Sequence, residues 1–514
     1  MARFKPYDYD QTELVPVSLS EQLEPGTLEY AIHYVVSERL DLSSFEAKFE
    51  NDETGRPAYD PRILLKVVLL GYARGKISSR KIEAACRENI VFMALACGQR
   101  PDYSTIARFV SSMGEDQIAS LFAQVLLICK EQDLLGGTHF SLDGYKLSSN
   151  AAKEWSGTHA DLASKRDKLY ELSRQAVRDH QRNDGGSGIG DAAGMQRADK
   201  LKRQADRIDQ FLTENSAKIG RTGKEVQSNV TDNQSAKMKS SHGIIQGYNA
   251  NAMVDSKHQV VVHAEAFGQG DDGAVAEPML AGAQTNLSAA GCHDAILTQA
   301  AVSADTSYFT HTNLEAFQAR HIDAYVPDPQ FRKRDPRFAA AERYRRPTDK
   351  RKLQYKKKPK TRFSPNDFTY DSDTGKLICP AGKRLYSTGK AYQNSQGYTV
   401  DSFRASKADC LNCSLKTQCL KNPEQTTPRQ VRLFNGKPTE TLTAKMKDKI
   451  DTPEGRNIYS QRLGNVEPVF GHLAAQKGLN RSTLRGTHKV NIQWKLFTMI
   501  HNLEKIAKYS SGLN

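Results

Sequence analysis

Residues 138–147, THFSLDGYKL, decide the fold, because apolar and polar residues alternate there up to Asp143 and Gly144. Such alternation predicts a β-strand that ends at Asp143. A second apolar stretch, AILTQAAVSAD at 295–305, predicts a strand that ends at Asp305. Functional residues of α/β sheets commonly gather at strand ends. The two aspartates are therefore the first candidates for a functional site.

The segments around these strands predict an α/β fold with a mixed sheet. Two further strands are expected at 242–256 and 258–268, joined tightly like a hairpin. A helix at 274–288 precedes the Asp305 strand, and a helix and a short strand follow it at 310–321 and 323–328. Three strands, a helix, a strand, a helix and a strand form an order that is typical of mixed α/β sheets.

The remaining patterns divide the chain into domains. Residues 1–135 predict a helical amino-terminal domain that binds DNA, compatible with a helix-turn-helix style module. Residues 136–328 predict the first part of the α/β core, interrupted by a helical hairpin at 160–215 whose role we interpret as structural. Residues 329–455 form a basic, cysteine-containing insertion, and the helices of 456–514 complete the core.

Positive charge is concentrated in one part of the chain. The net charge is +14, and residues 332–362 hold fifteen Lys or Arg and three acids, a net of +12 that leaves +2 elsewhere. Such clustering indicates a polyanionic partner, nucleic acid first, with a solvated basic loop as the alternative. The candidate DNA-contacting residues of this basic stretch are Arg345, Arg346, Lys356, Lys357, Lys358 and Lys360.

No apolar run approaches the length that spans a bilayer, and the amino terminus has no apolar signal-peptide core. We therefore expect a soluble intracellular protein without membrane contact.

A third acid joins the two aspartates as a candidate. Glu467 lies in NVEPVFGHLAA at 465–475, and Pro468 after it predicts the first turn of a helix. Carboxylates are the ligands that Mg²⁺ prefers, although each acid alone is more often a helix cap or a turn residue. Four other acids are interpreted as structural, with Asp271 and Asp272 as helix caps and Asp255 as a turn residue; the fourth is Asp232.

Four of the eight cysteines lie close together in the sequence. Cys410 and Cys413 are separated by two residues, a spacing that can turn both thiolates toward one tetrahedral ion. Cys379 and Cys419 lie at irregular distances from this pair. The pattern predicts a structural Zn²⁺ site of the Cys₄ type, with reduced, unligated cysteines as the alternative.

Several blocks resemble the bacterial insertion-sequence transposases of the DDE type. They occur in the order of that family and extend across nearly the whole chain. The blocks are FENDETGRPAYDPRILLKVVLLGYARGKISSRKIE (49–83), ACRENIVFMALACGQRPDYSTIARF (85–109), SLDGYKLSSNA (141–151), GYNANAMVD (247–255), SADTSYFT (303–310), YSQRLGNVEPVFGHL (459–473) and LRGTHKVNIQWKLFTMIHNL (484–503).

The resemblance implies a ribonuclease-H-like core in which Asp143, Asp305 and Glu467 hold two Mg²⁺ or Mn²⁺ ions. It implies cleavage and transfer of double-stranded DNA at the ends of a mobile element and into a target, in the bacterial cytoplasm. A homodimer is expected, because two element ends must be held together. Arg462 is expected to touch a DNA phosphate or to orient Glu467, with a surface arginine as the alternative.

The third block departs from the family at one position. A lysine is expected where Ala474 stands, and Lys477 lies one helical turn further on. We therefore assign no catalytic function to Lys477. The alternatives to a transposase are a metal-dependent nuclease that lacks strand transfer and a non-catalytic DNA-binding protein with a decayed active site.

Overall fold

The computed structural model describes residues 17–47, 57–183, 189–220, 223–240, 243–338, 362–389, 391–393, 399–424, 427–435 and 441–510. They divide into two compact units, one of residues 1–328 with 452–514 and one of residues 329–451. No described helix is long and apolar enough to cross a membrane.

The first unit begins with helices, as the sequence predicts. Five of them start at side-chain caps that accept hydrogen bonds from the otherwise unpaired amides of the first turn: Thr27, Asp60, Ser78, Asn89 and Asp102. The helices are α1 (Leu28–Tyr34), α2 (Ser43–Glu46), α3 (Pro61–Ala73), α4 (Ser79–Glu88), α5 (Ile90–Leu95), α6 (Tyr103–Ser111) and α7 (Glu115–Glu131).

The helical hairpin follows the first strand. Strand β1 (His139–Ser148) and the two-residue strand β2 (Ser156–Gly157) precede it, and β3 (Ser228–Asn229) pairs with β2 on its far side. Its two arms are α8 (His159–Asn183) and α9 (Ile189–Glu214). Leu162, Ile208 and Phe211 form a small apolar core at the base of the hairpin.

The other strands of the first unit join β1 in one mixed sheet, as expected. The strands and helices are β4 (Ala236–Ser240), β5 (Gly243–Asp255), β6 (Val261–Phe267), α10 (Ala276–Ala289), β7 (Ala301–Ala304), α11 (His311–Ala319) and β8 (Asp323–Tyr325). The sheet order is β4-β5-β1-β7-β8, and β6 also pairs with β5. Strand β5 runs antiparallel to β1, whereas β1, β7 and β8 are parallel. Strand β4 was not predicted.

The second unit holds a separate small sheet. Its elements are α12 (Phe331–Arg334), β9 (Thr369–Asp371), β10 (Lys376–Ile378), β11 (Arg384–Ser387), β12 (Tyr392–Gln393), β13 (Thr399–Ala405), α13 (Lys407–Leu411), α14 (Lys416–Cys419), β14 (Gln430–Asn435) and α15 (Leu442–Asp451). The antiparallel sheet buries a short apolar core of Phe368, Leu377, Leu385, Phe403, Ala405 and Val431.

Two carboxyl-terminal helices complete the first unit. They are α16 (Pro453–Gly471), which contacts β1 and β7, and α17 (Thr487–Tyr509), which packs on β6 and α7. Asn491 and Asn502 of α17 bond the backbone N–H and C=O of Ala266 and Val261. These side chains satisfy polar groups of β6 that would otherwise be left unpaired at the edge of the sheet.

Candidate active site

Asp143 and Asp305 lie side by side at one edge of the parallel part of the sheet. Strands β1 and β7 pair in register from His139 with Ala301 to Leu142 with Ala304, so the next residue of each chain segment is one of the two aspartates. The prediction that the first strand ends at Asp143 is wrong, because β1 continues to Ser148 through its pairing with β5. Only its parallel neighbour ends there.

The glycine after Asp143 is needed for close packing. A Cβ atom at Gly144 would lie 2.8 Å from Asn249 Oδ1, 2.9 Å from Asn251 Oδ1 and 3.0 Å from Asp272 Oδ1. A side chain at this position would displace the polar groups that line the neighbouring strand. The pair Asp-Gly therefore marks a close approach within a strand and not a turn.

Arg462 lies between the two aspartates. Its Nη1 donates to Asp143 Oδ2 at 2.5 Å, and its Nη2 lies 3.8 Å from Asp305 Oδ1. Only 7% of the arginine side chain is exposed, so the alternative of a surface arginine is wrong. Helix α16 contacts β1 and β7 and carries the guanidinium on its buried face. A cation thus already bridges the two carboxylates.

Burial raises the pKa of Asp143 to about 6, and the neighbouring charge of Asp305 adds to this shift, while Arg462 opposes it. The pKa of Arg462 is lowered by burial, but the charges of Asp143 and Asp305 outweigh this and raise it above its ordinary value. A second positive charge beside the aspartates would favour the ionised carboxylates further. The site is therefore able to bind a cation.

Glu467 lies on helix α16 but on a different face. It comes five residues after Arg462, which is about 140° around an α-helix, and its side chain is exposed. The buried face of the helix carries Arg462, Asn465, Val466 and Val469. Among the described residues, the three acids do not form a set whose ligand atoms all lie within 4.8 Å. The structure places Asp143 and Asp305 side by side, and Glu467 lies exposed on the helix that carries Arg462.

The expectation that Pro468 begins a helix is wrong. Helix α16 begins at Pro453, with Thr452 Oγ1 accepting from the Gly455 amide, and Pro468 lies inside it. Proline suits either a first turn or a kink, and the sequence around Pro468 does not distinguish these.

Two of the competing acids have the structural roles that we expected. Asp255 accepts hydrogen bonds from the backbone amides of Gly136, Gly137 and Lys257. Asp232 accepts from the Tyr248 hydroxyl at 2.8 and 2.9 Å. Both carboxylates thereby satisfy local polar groups.

Asp272 is not the helix cap that we expected. Helix α10 begins four residues later without a side-chain cap. The buried Asp272 instead accepts from Asn249 Nδ2 at 2.5 Å, and Lys146 Nζ lies 3.4 Å from it. The buried Tyr308 hydroxyl donates to Asn251 Oδ1, and burial together with the charges of Asp272, Asp143 and Asp305 raises its pKa. No sequence signal pointed to this polar network.

Lys477 is buried and forms an ion pair with Glu504. Its side chain is 1% exposed, and Nζ donates to Glu504 Oε1. This contact gives Lys477 a structural partner on α17.

The candidate DNA-contacting residues Arg345, Arg346, Lys356, Lys357, Lys358 and Lys360 lie outside the described residues.

The four clustered cysteines lie together in the second unit. Cys379, Cys410, Cys413 and Cys419 line one pocket, and none of the four forms a disulfide. The Lys383 amide donates to Cys379 Sγ at 3.3 Å, a contact that orients this sulfur. Burial raises the pKa of Cys419, and the proximity of the other three sulfurs raises it further, while Arg429 opposes the shift. Their Sγ atoms do not all lie within 4.8 Å of one another.

Two parts of the chain match known protein families. Residues 378–507 match the family described as "Transposase DDE domain", and residues 17–112 match "Transposase domain (DUF772)". The first match includes the cysteines, Arg462 and Glu467, and it implies a ribonuclease-H-like core, in agreement with the mixed sheet. A search of curated proteins finds no match.

Proposed function

We propose that this chain binds the ends of its mobile element and cuts and joins DNA there. The premise is its two transposase domains, which place it among the insertion-sequence transposases of the DDE superfamily. Asp143, Asp305 and Glu467 are the proposed ligands of two Mg²⁺ or Mn²⁺ ions. The DDE domain supports a transposase or nuclease type of enzyme that acts on DNA.

One observation carries the proposal: two carboxylates from neighbouring parallel strands share a single buried cation, the Arg462 guanidinium. Oxygen ligands of this kind fit hard divalent ions, which typically take one or two carboxylates together with water and phosphate oxygens. The pKa of Asp143 stays raised although Arg462 lies beside it, so the charge of Arg462 alone does not offset the cost of burying the ionised carboxylate. A divalent ion would supply the missing positive charge.

When bound, a metal pair activates the attacking oxygen and stabilises the leaving one. The residues of the chain would fix the geometry. Asp143 lies within the paired strand β1 and Asp305 directly follows the paired strand β7, so both carboxylates are held on a rigid backbone. Arg462 would turn from the aspartates to a phosphate oxygen when other cations take its place, because a guanidinium suits both partners. This exchange would couple DNA binding to assembly of the site.

Glu467 joins the proposed ligand set through its motif and through its helix, which contacts both aspartate strands. Its side chain is exposed, so ions and DNA in solution can reach the carboxylate.

The experiment is metal-dependent cleavage of a supercoiled plasmid that carries the terminal sequences of the element. Asp143→Asn, Asp305→Asn and Glu467→Gln should each lower the cleavage rate by at least about a hundredfold, since even partners outside a ligand shell contribute 10- to 100-fold. The matched control is Asp294→Asn, an exposed acid of the same unit. DNA binding by each variant should persist.

Three outcomes test the assignments separately. Full activity of Asp143→Asn would refute the whole proposal. Activity that survives Glu467→Gln but not Asp272→Asn would move the third ligand to the buried Asp272. Cleavage without joining of the cut end to a target would favour the nuclease.

The second unit has a proposed structural role. Its four cysteines are the proposed ligands of one Zn²⁺, because the loop after β10 and the short helices α13 and α14 bring four sulfurs to one pocket, with an amide donor at Cys379. The basic stretch 332–362 is the proposed contact to double-stranded DNA, and a homodimer is the proposed form in the complex with two element ends.

A further inference from the structure

Three possible metal ligands lie together away from the two aspartates. His472 is the first residue of a π-helical turn, His472–Gln476, that follows α16 directly. His501 and Glu504 lie three residues apart on one face of α17. One ligand atom from each of the three side chains lies within 4.8 Å of the other two. Of the described residues, only these form such a set.

His501 has a buried ring nitrogen without a hydrogen-bond partner. The residue is 2% exposed, and Nε2 lies 2.9 Å from the backbone oxygen of Gln259. A carbonyl oxygen can only accept, so Nε2 carries the hydrogen and Nδ1 presents a lone pair. Nδ1 is buried and has no hydrogen-bond partner. Burial lowers the pKa of His501 to about 3, with nearby Lys505 adding to the shift, so the ring is neutral.

Glu504 likewise has one carboxylate oxygen without a hydrogen-bond partner. Its Oε1 accepts from Lys477, whereas its buried Oε2 has no hydrogen-bond partner. His472 Nδ1 lies 3.4 Å from Oε2, and the His472 and His501 rings meet edge to face with centroids 5.7 Å apart. Burial lowers the pKa of His472 as well, which favours the neutral ring that a metal requires. An unpaired buried lone pair is costly, and this cluster holds two of them, on His501 Nδ1 and Glu504 Oε2.

We propose that His472, His501 Nδ1 and Glu504 Oε2 bind one borderline divalent ion of the Zn²⁺, Co²⁺ or Ni²⁺ class. Two imidazoles and one carboxylate suit these ions, whereas Mg²⁺ and Ca²⁺ prefer oxygen ligands throughout. The hydrogen bond from His501 Nε2 to a backbone carbonyl is the outer contact that metal-bound histidines ordinarily make. The site is separate from the proposed Mg²⁺ ligands and does not depend on the proposed function.

The surrounding charges set the expected strength of binding. Lys477 stays on Glu504 Oε1 and orients the carboxylate, but its ammonium and that of Lys505 oppose a further cation. Binding should therefore be weaker than at a structural site of four thiolates. Its consequence is mechanical: the ion would tie the turn that follows α16 to α17, and so would fix the end of the helix that carries Arg462 and Glu467.

The test is a Co²⁺ titration of the metal-free, full-length protein, purified without a histidine tag and followed by absorption. The wild type should bind one more equivalent, at micromolar concentration, than His472→Gln. That equivalent should give visible bands without the near-ultraviolet thiolate absorption of the cysteine site. The exposed His293→Gln is the matched control and should bind as the wild type does.

Glu504→Gln provides a second variant, with an affinity expected to fall at least tenfold, and is decisive if His472→Gln does not fold. Equal stoichiometry in the wild type and both variants would overturn the site. Binding that needs millimolar Co²⁺ would overturn it equally.

Discussion

The acidic site and the cysteine cluster are built in opposite ways. Asp143, Asp305 and Arg462 are far apart in the sequence, and they meet because two strands pair in register and a helix crosses them. The four cysteines lie within 41 residues, in the loop after β10 and in and between the short helices α13 and α14, beside a small sheet. A site made by a fold persists without its ion, whereas a site made by short segments depends on the ion for its own stability.

The largest expected effect is the loss of zinc from the second unit. Cys413→Ser should lower bound zinc from about one ion per chain to none, because a tetrahedral thiolate site has no spare ligand. The apolar core of this unit is short, so its amides should then lose their protection in hydrogen exchange while those of the first unit keep theirs. Metal analysis and hydrogen exchange measure the two results.

Cys292→Ser is the control, since this partly buried cysteine belongs to the first unit. If the amides of the second unit stay fully protected from hydrogen exchange without zinc, the cysteine site does not depend on its ion for stability, and the predicted difference from the acidic site is wrong.

The sequence predicted the acidic site in part. Strand alternation and the family motifs found Asp143, Asp305 and the elements that carry them, because such patterns reflect local geometry. The burial of Arg462, the polar network of Asp272 and the outward face of Glu467 depend on how α16 and β5 pack against β1. Contacts between distant segments leave no periodic signal. Asp272 shows this best, since an acid before a helix is ordinarily a cap.

The next effect concerns the arginine that bridges the aspartates. Arg462→Gln should lower the free energy of unfolding in the absence of metal by about 3 kcal/mol, because it leaves the largely buried Asp143 carboxylate, with the partly exposed Asp305 beside it, without a cation. Mg²⁺ should then raise the melting temperature of this variant more than that of the wild type. Thermal unfolding with and without Mg²⁺ provides the measurement.

Arg320→Gln is the matched control, because it breaks a more exposed pair with Glu277 and should cost no more than about 1 kcal/mol. Equal losses in the two variants would mean that the bridge contributes no more than a surface pair.

A smaller effect follows from the pKa of Asp143, which burial raises to about 6. A metal ligand must be ionised, so cleavage at low Mg²⁺ should rise about tenfold per pH unit below 6 and level off above it. The folded chain holds this proton more tightly than the unfolded chain does. The metal-free protein should therefore lose stability as the pH rises from about 4 to about 6.

A pH–rate profile at two Mg²⁺ concentrations checks this assignment. High Mg²⁺ should move the inflection to lower pH, because metal and proton compete for one carboxylate. An inflection near 4 at low Mg²⁺ would show that Asp143 titrates as an exposed acid does.

The smallest effect lies in the basic stretch. Phosphate contacts release counterions, so the slope of log K against log salt reports how many exist. Neutralising Lys356, Lys357, Lys358 and Lys360 should reduce that slope by between about 0.9 and about 3.6, or about 0.9 per lost contact. The charge-matched control neutralises four exposed residues of the helical hairpin, Lys168, Arg197, Lys200 and Lys202. An equal reduction of the slope in the two variants would mean that DNA binding depends on the total charge of the protein. The clustering of a net +12 in 31 residues would then carry no information about where DNA binds.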